Sequence, residues 1–178
     1  MNSLPLIIAG VTGAVIGSFC NVLIWRIPRN ESIVAPGSHC PRCNRPIRPY
    51  ENIPVLSYLF LGGKCAGCAQ RIPFRYPAVE ILTSALTVLL WHSMLSRGTS
   101  GLEQWWEFVP LLCGATFLLA MIPLSVIDLE HFILPDVITI PAVIVGLAVS
   151  FVPGATAPLQ SVLGILAGGG SLLAVGKG

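Results

Sequence analysis

Val137 to Gly176 reads VITIPAVIVGLAVSFVPGATAPLQSVLGILAGGGSLLAVG, forty consecutive residues without an Asp, Glu, Lys or Arg. About 18 such residues suffice to cross a bilayer as a helix, so this stretch is too long for one crossing. Val152-Pro153-Gly154 breaks it into two, since proline and glycine interrupt helices. The same lack of charge recurs upstream, over residues 2–25 and 108–127. A further candidate lies between Glu80 and Arg97. The sequence therefore predicts five spans, near 4–25, 77–96, 108–127, 137–152 and 159–176, the fourth being the shortest. Composition agrees, with 54% apolar residues and only 10% charged, against about a quarter charged in soluble domains. So few charges argue against a soluble protein, which needs a polar surface.

The first span is not read as a cleaved signal peptide, because such peptides begin with a positively charged region. Here no basic residue precedes the span, and Arg26 and Arg29 follow it. Eight of the ten Lys and Arg residues fall between Arg26 and Arg75. Positive charge beside span ends marks the cytoplasmic side, so the 26–76 loop is expected to be cytoplasmic and the N-terminus outside. By alternation, 97–107 is outside, 128–136 inside, 153–158 outside and Lys177 inside. The expected location is thus a bacterial-type inner membrane, multi-pass. Because orientation already explains the basic loop, nucleic-acid binding is not invoked.

Within that loop, Cys40-Pro41-Arg42-Cys43 is followed after 21 residues by Cys65-Ala66-Gly67-Cys68. Two Cys-x-x-Cys turns can each bring two thiolates to one zinc ion in closed tetrahedral coordination. Disulfides are the alternative, disfavoured because the cytoplasm keeps thiols reduced. A single pair would suffice for a redox role. The expectation is a structural Zn2+ on Cys40, Cys43, Cys65 and Cys68, which folds a loop too small and polar to form a core. Cys20 and Cys113 lie in spans and read as small packing residues.

Asp128 directly follows an apolar span, in Ile127-Asp128-Leu129-Glu130-His131-Phe132-Ile133-Leu134-Pro135-Asp136. An ionisable residue at membrane depth is costly and points to function. One at the interface costs little and merely ends a span, and the residues alone leave both readings open. Asp136, after Pro135 and before an apolar run, is expected to cap a helix by accepting backbone N–H bonds and complementing the dipole. Glu130 and His131 read as interfacial polar residues. Glu80, opening the second span, suits a helix dipole or faces a substrate groove. Gly168-Gly169-Gly170 is expected to allow close helix packing. The apolar Ile53–Leu61 stretch either packs against the spans or lies at the interface.

Taken together, several stretches resemble one family, the bacterial type IV prepilin peptidases. They are Gly17-Ser18-Phe19-Cys20-Asn21-Val22 with Arg26 and Pro28, Ser38-His39-Cys40-Pro41-Arg42-Cys43, and Glu51-Asn52-Ile53-Pro54-Val55-Leu56-Ser57-Tyr58. Cys65 to Cys68, Arg75-Tyr76-Pro77 with Glu80, and Asp128 with Leu134-Pro135-Asp136 follow in the same order. The resemblance implies an intramembrane aspartic endopeptidase that cuts the basic leader from prepilins or pseudopilins at the cytoplasmic face. It also implies N-methylation of the new N-terminus with S-adenosyl-L-methionine, for pilus or type II secretion assembly. Asp128 matches the first of two catalytic aspartates. A carboxylate pair can divide the roles of acid and base, because close like charges raise one pKa. The resemblance places the second aspartate in a Gly-x-Gly-Asp motif after the fifth span, where this sequence ends at Val175-Gly176-Lys177-Gly178. Only Asp136 is a further aspartate, and Pro135 separates it from the helix of Asp128.

The expected fold is thus an all-α polytopic membrane protein of about five transmembrane helices with a small zinc-stapled cytoplasmic loop. Its expected parts are 1–25, the first helix; 26–76, the four-cysteine loop; and 77–178, a partial intramembrane aspartic peptidase domain, C-terminally truncated. A catalytic unit lacking one member loses most of its rate, so the chain alone is expected to be weak or inactive. The alternative is a non-catalytic membrane module that binds prepilins or assembly proteins. A transporter would need paired polar residues inside several spans, which are lacking. Expected partners are prepilin or pseudopilin substrates and membrane lipids, not nucleic acid, with a homo-oligomer left open. No residue is assigned to S-adenosylmethionine from the sequence.

Overall fold

A computed structural model describes residues 4–95, 109–152 and 156–176. The 97–107 connection, the Pro153-Gly154 break and Lys177 lie outside the described residues. Among the described residues all regular elements are helical: α1 (Leu4–Arg26), α2 (Leu56–Phe60), α3 (Arg75–Leu95), α4 (Val109–His131), α5 (Asp136–Val149) and α6 (Pro158–Gly176). Two stretches, Leu4–Arg29 and Cys113–His131, are long and apolar enough to cross a bilayer, and Asp136–Val149 is apolar but shorter.

α1, α3 and α4 pack together, α5 lies against α4, and α6 meets α5. The α1–α3 contact is made close by glycine on one helix and small hydroxyl residues on the other. A Cβ on Gly13 would stand 2.7 Å from Thr87 Oγ1 and 2.8 Å from Ser84 Cα, and one on Gly17 would stand 2.7 Å from Glu80 Cα. Such backbone proximity is how small residues let membrane helices associate. Ser84 Oγ ties the pair by donating to Gly10 O at 2.8 Å, while Thr83 and Thr87 donate within α3 to Val79 O and Thr83 O. The apolar core sits at the loop-proximal end of the three helices, where Cys20, Ile24, Val79, Ile122 and Ile127 are buried against one another. Cys20 is fully enclosed there, as expected of a packing residue.

Two expectations are corrected. Asp136 is not the capping residue of α5. The chain turns into the helix at Pro135, whose carbonyl accepts from Ile138 and Thr139, and no side-chain cap bond forms at that end. Asp136 instead stands in the first helical turn, where its charge complements the dipole. Gly168, Gly169 and Gly170 do not mediate close packing among the described residues, since a Cβ at each would meet nothing within 4 Å.

Candidate functional site: a four-cysteine module over a polar cavity

The loop between α1 and α3 folds as two copies of one local turn. In the first, Cys40 N donates to Arg45 O at 3.0 Å and Asn44 N to Cys40 O at 2.9 Å. In the second, Cys65 N donates to Gln70 O at 2.8 Å and Ala69 N to Cys65 O at 3.0 Å. Each copy is closed by a single antiparallel bridge, His39 with Pro46 and Lys64 with Arg71. Each passes through the left-handed region one residue after its second cysteine, Asn44 at φ 53 and Ala69 at φ 54. Asparagine tolerates that conformation and alanine does not, at a cost of about 1 kcal/mol.

The turns bring Cys40, Cys43, Cys65 and Cys68 together, with their four Sγ atoms within 4.8 Å of one another. Cys40 Sγ and Cys68 Sγ are 3.8 Å apart. Zinc–sulfur bonds of about 2.3 Å in tetrahedral array require sulfur–sulfur edges of about 3.8 Å, so the cluster has the dimensions of a metal site. Its chemistry agrees. The amides of Cys68 and Gly67 draw the Cys65 thiol down to about 6. At Cys68 the Gln70 amide lowers the pKa, but burial and the neighbouring thiols outweigh it and raise the group to about 11. Four sulfurs this close cannot share negative charge without a cation.

The module is held to α1 and α3 at two points, through Arg26 and Glu80. Arg26, buried at the end of α1, donates to the carbonyls of Ser32 (2.7 Å), Pro36 (2.6 Å) and Gly37 (3.3 Å). Beneath it the two helices are tied to each other, Asn21 Nδ2 of α1 donating to Tyr76 O of α3 at 3.0 Å. Glu80 of α3 accepts from Val55 N at 2.7 Å. Val55 has φ 62 and ψ −50, and Leu56 N donates across it to Pro54 O at 2.6 Å. This is a γ-turn of the rarer, strained hand, centred on a β-branched residue. Strain of that kind persists only where the surroundings hold it, and here the Glu80 carboxylate does so. Within the module, Glu51 pairs with Arg45 at 2.8 Å and accepts from Arg48 N at 3.0 Å. Arg45 holds the Glu51 carboxyl below its usual range, and the Arg48 amide adds to that effect.

Between the module, α1 and the start of α3 lies a cavity of about 330 Å3. Ser18, Asn21, Tyr58, Tyr76 and Glu80 are among its walls. Val55 is fastened to α3, while Leu56, Leu59 and Phe60 of α2 project outward with 51%, 66% and 87% exposure.

Asp128 is placed elsewhere, in the last turn of α4, with its side chain exposed and no ion-pair partner among the described residues. Two residues on, Glu130 accepts from Arg75 Nη1 at 2.7 Å, fastening the end of α4 to the start of α3. Asp128 and Asp136 thus lie on separate helices, either side of Phe132–Pro135. The structure therefore gathers the four cysteines and Glu80 around one end of the molecule, with Asp128 outside that cavity. Sequence reasoning named Asn21, Val55 and Arg75 only within the family-resembling stretches and Glu130 as an interfacial residue, and did not foresee the cavity wall, the Val55 turn or the Arg75–Glu130 pair. Only the charge of Arg75 and Glu130 signals the last, and nothing in Pro54-Val55-Leu56 announces a positive φ.

Known proteins match this chain along most of its length. The Bacterial Peptidase A24 N-terminal domain model matches residues 11–94, and the Type IV leader peptidase family model matches residues 115–178. A prepilin leader peptidase/N-methyltransferase of Myxococcus xanthus (strain DK1622) is 42% identical over 89% of this chain and 44% of its own length. Proteins of that description from Neisseria gonorrhoeae and Klebsiella pneumoniae are 37% and 36% identical, over 93% and 88% of this chain and 62% and 68% of their own lengths. The chain thus spans between 44% and 68% of these relatives. No solved structure matches it.

Proposed function

The chain belongs to the type IV leader peptidase family, and from that premise we propose that it supplies the first catalytic aspartate of a prepilin or pseudopilin leader peptidase that also N-methylates the cleaved product. The observation that carries this reading is Asp128. It lies within the stretch matched by the leader peptidase model, and its exposed carboxylate ends α4 where an apolar helix meets polar residues. A carboxylate there can take a proton from water as it attacks a peptide carbonyl. A second carboxyl, in the family's Gly-x-Gly-Asp motif, would donate a proton to the departing amine.

In this reading α1, α3, α4, α5 and α6 all cross the inner membrane, and the module of residues 26–76 faces the cytoplasm. Residues 77–178 form the peptidase part. Zn2+ would be held by Cys40, Cys43, Cys65 and Cys68, with no coordination position left for substrate. Its role is to fix the two turns over the ends of α1 and α3. S-adenosylmethionine would supply the methyl group for the new N-terminus.

The test is leader removal from a prepilin in membranes, followed by mass. The chain is assayed alone and fused to the Gly-x-Gly-Asp region of a relative, each with Asp128 intact and as Asp128→Asn. Cleavage by the fusion, lost by at least 1,000-fold in its Asp128→Asn form, is expected. Undiminished cleavage with Asp128→Asn refutes the assignment. Cleavage by the chain alone would transfer the second role to Asp136 or to another subunit.

A further inference from the structure

Glu80 is 8% exposed, and no Lys, Arg or His side chain forms an ion pair with it among the described residues. Acidic residues are rarely buried this far without a cationic partner, because desolvating an uncompensated charge is expensive. Its partners are neutral, the Val55 amide and the Ser18 hydroxyl. Glu80 lines the cavity under the four-cysteine module, and so does Asn21, which is 2% exposed and whose Oδ1 has no hydrogen-bond partner. One buried carboxyl without a cationic partner and one unsatisfied acceptor thus border the same space.

The other walls define what that space accepts. Trp25, Tyr58 and Tyr76 contribute aromatic surface, which suits a flat ring or a cation. Arg45 and Arg71 also border it, the first engaged by Glu51. A volume of about 330 Å3 is at the small end of ligand pockets. The matching ligand is a compact molecule with a buried cationic centre, an aromatic ring and an anionic group for the arginines. A basic leader peptide meets the first requirement only, and the arginines repel its charges.

Resting on the methyltransferase reading above, we infer that this cavity is the S-adenosylmethionine site, with Glu80 supplying the counter-charge for the sulfonium. The strained Val55 turn then has a purpose. The Val55 amide fixes one oxygen of the Glu80 carboxyl and so directs the group. Asn21 Oδ1 offers an acceptor to the ammonium or adenine nitrogens. The cavity's position beside the cysteine module puts the methyl donor on the side where the resemblance places the cleaved N-terminus.

The test is equilibrium binding to the purified, zinc-loaded full chain in detergent, with S-adenosylmethionine and, separately, S-adenosylhomocysteine, which lacks the sulfonium charge. Glu80→Gln keeps an acceptor for Val55 N but removes the charge. It is expected to weaken S-adenosylmethionine by tenfold or more and S-adenosylhomocysteine by threefold or less. Ala66→Phe fills the cavity from an exposed position on the second turn, and is expected to weaken both tenfold without changing zinc content. Absence of binding by the parent chain, or binding indifferent to both variants, overturns the inference. So does a basic leader peptide whose binding, unlike that of S-adenosylmethionine, depends on Glu80. Leader cleavage by the Gly-x-Gly-Asp fusion is scored in parallel. Its persistence alongside cavity-independent S-adenosylmethionine binding refutes the cavity alone, and its absence refutes the broader reading.

Discussion

Replacing Gly17 with alanine probes whether α1 and α3 meet as closely as described. The new Cβ would lie 2.7 Å from Glu80 Cα, 3.0 Å from Thr83 Oγ1 and 3.1 Å from Val79 O. Two of those three atoms are backbone, so no side-chain rotation relieves the contact. Restoring a carbon–carbon separation of about 3.6 Å requires the helices to part by about 0.9 Å. Overpacking of this kind costs about 1–3 kcal/mol. Alanine's advantage over glycine within a helix, about 1 kcal/mol, offsets part of that. The net loss is therefore up to about 2 kcal/mol, or up to about 8 °C in melting temperature for a chain of this size. Gly10→Ala is the matched control, since its Cβ would meet Val88 Cγ2 at 3.4 Å and Ser84 Oγ at 3.5 Å, which are ordinary contacts. It should melt with the parent or above it. Thermal unfolding of the full chain in detergent, read by tryptophan fluorescence, compares the two. A Gly17→Ala protein that melts at or above Gly10→Ala would refute the close α1–α3 packing and the Glu80 placement that depends on it.

Elemental analysis is expected to find one zinc per chain, abolished by Cys65→Ser, with protease cuts then appearing between residues 38 and 72; full metal content in that variant contradicts the four-sulfur site. Ala69→Gly relieves the left-handed strain in the second turn and should stabilise the module against denaturant by about 0.5–1 kcal/mol, whereas Asn44→Ala should destabilise it; equal effects of opposite assignment would discredit the paired-turn geometry. The folded Glu51 carboxyl titrates below its unfolded value because Arg45 holds it, so its contribution is present above about pH 4.3 and is lost as pH falls through the lower folded value. Glu51→Gln should therefore be less stable than the parent at pH 7, with the gap closing in acid; a gap that widens in acid reverses that sign.

Helix positions were largely legible because each rests on a long uncharged run ended by a charge or a proline. The predicted 4–25 span corresponds to Leu4–Arg26, and the predicted 137–152 to Asp136–Val149. The four-cysteine cluster was legible for a similar reason, since spacing alone constrains how two Cys-x-x-Cys turns can fold. What the sequence hid depends on contacts between distant segments. Glu80 and Val55 are 25 residues apart, and neither residue type announces the other. The expectation of close packing failed for the α6 glycines, because a small side chain permits such packing only where another helix comes up against that position. Gly13 and Gly17 have α3 against them, while a Cβ on Gly168, Gly169 or Gly170 would meet nothing within 4 Å among the described residues. At Asp136 the error was of one position: a proline with its own free carbonyl took the cap.

The anchors between the module and the helices give the order of the loop and the pairing of α1 with α3 a shared fate. Arg26 and Glu80 reach the loop from α1 and α3, so ordering the loop restrains the ends of both helices. Closing a chain of roughly 50 residues between two helices has an entropic cost that an ordered loop has already met. By reciprocity, whatever favourable energy an ion adds by fixing the loop also favours pairing of the helices, and paired helices raise the affinity for the ion. If the four sulfurs hold an ion, as proposed, its loss would loosen the pairing of α1 with α3 as well as the loop, so the two events would be seen together in one unfolding step.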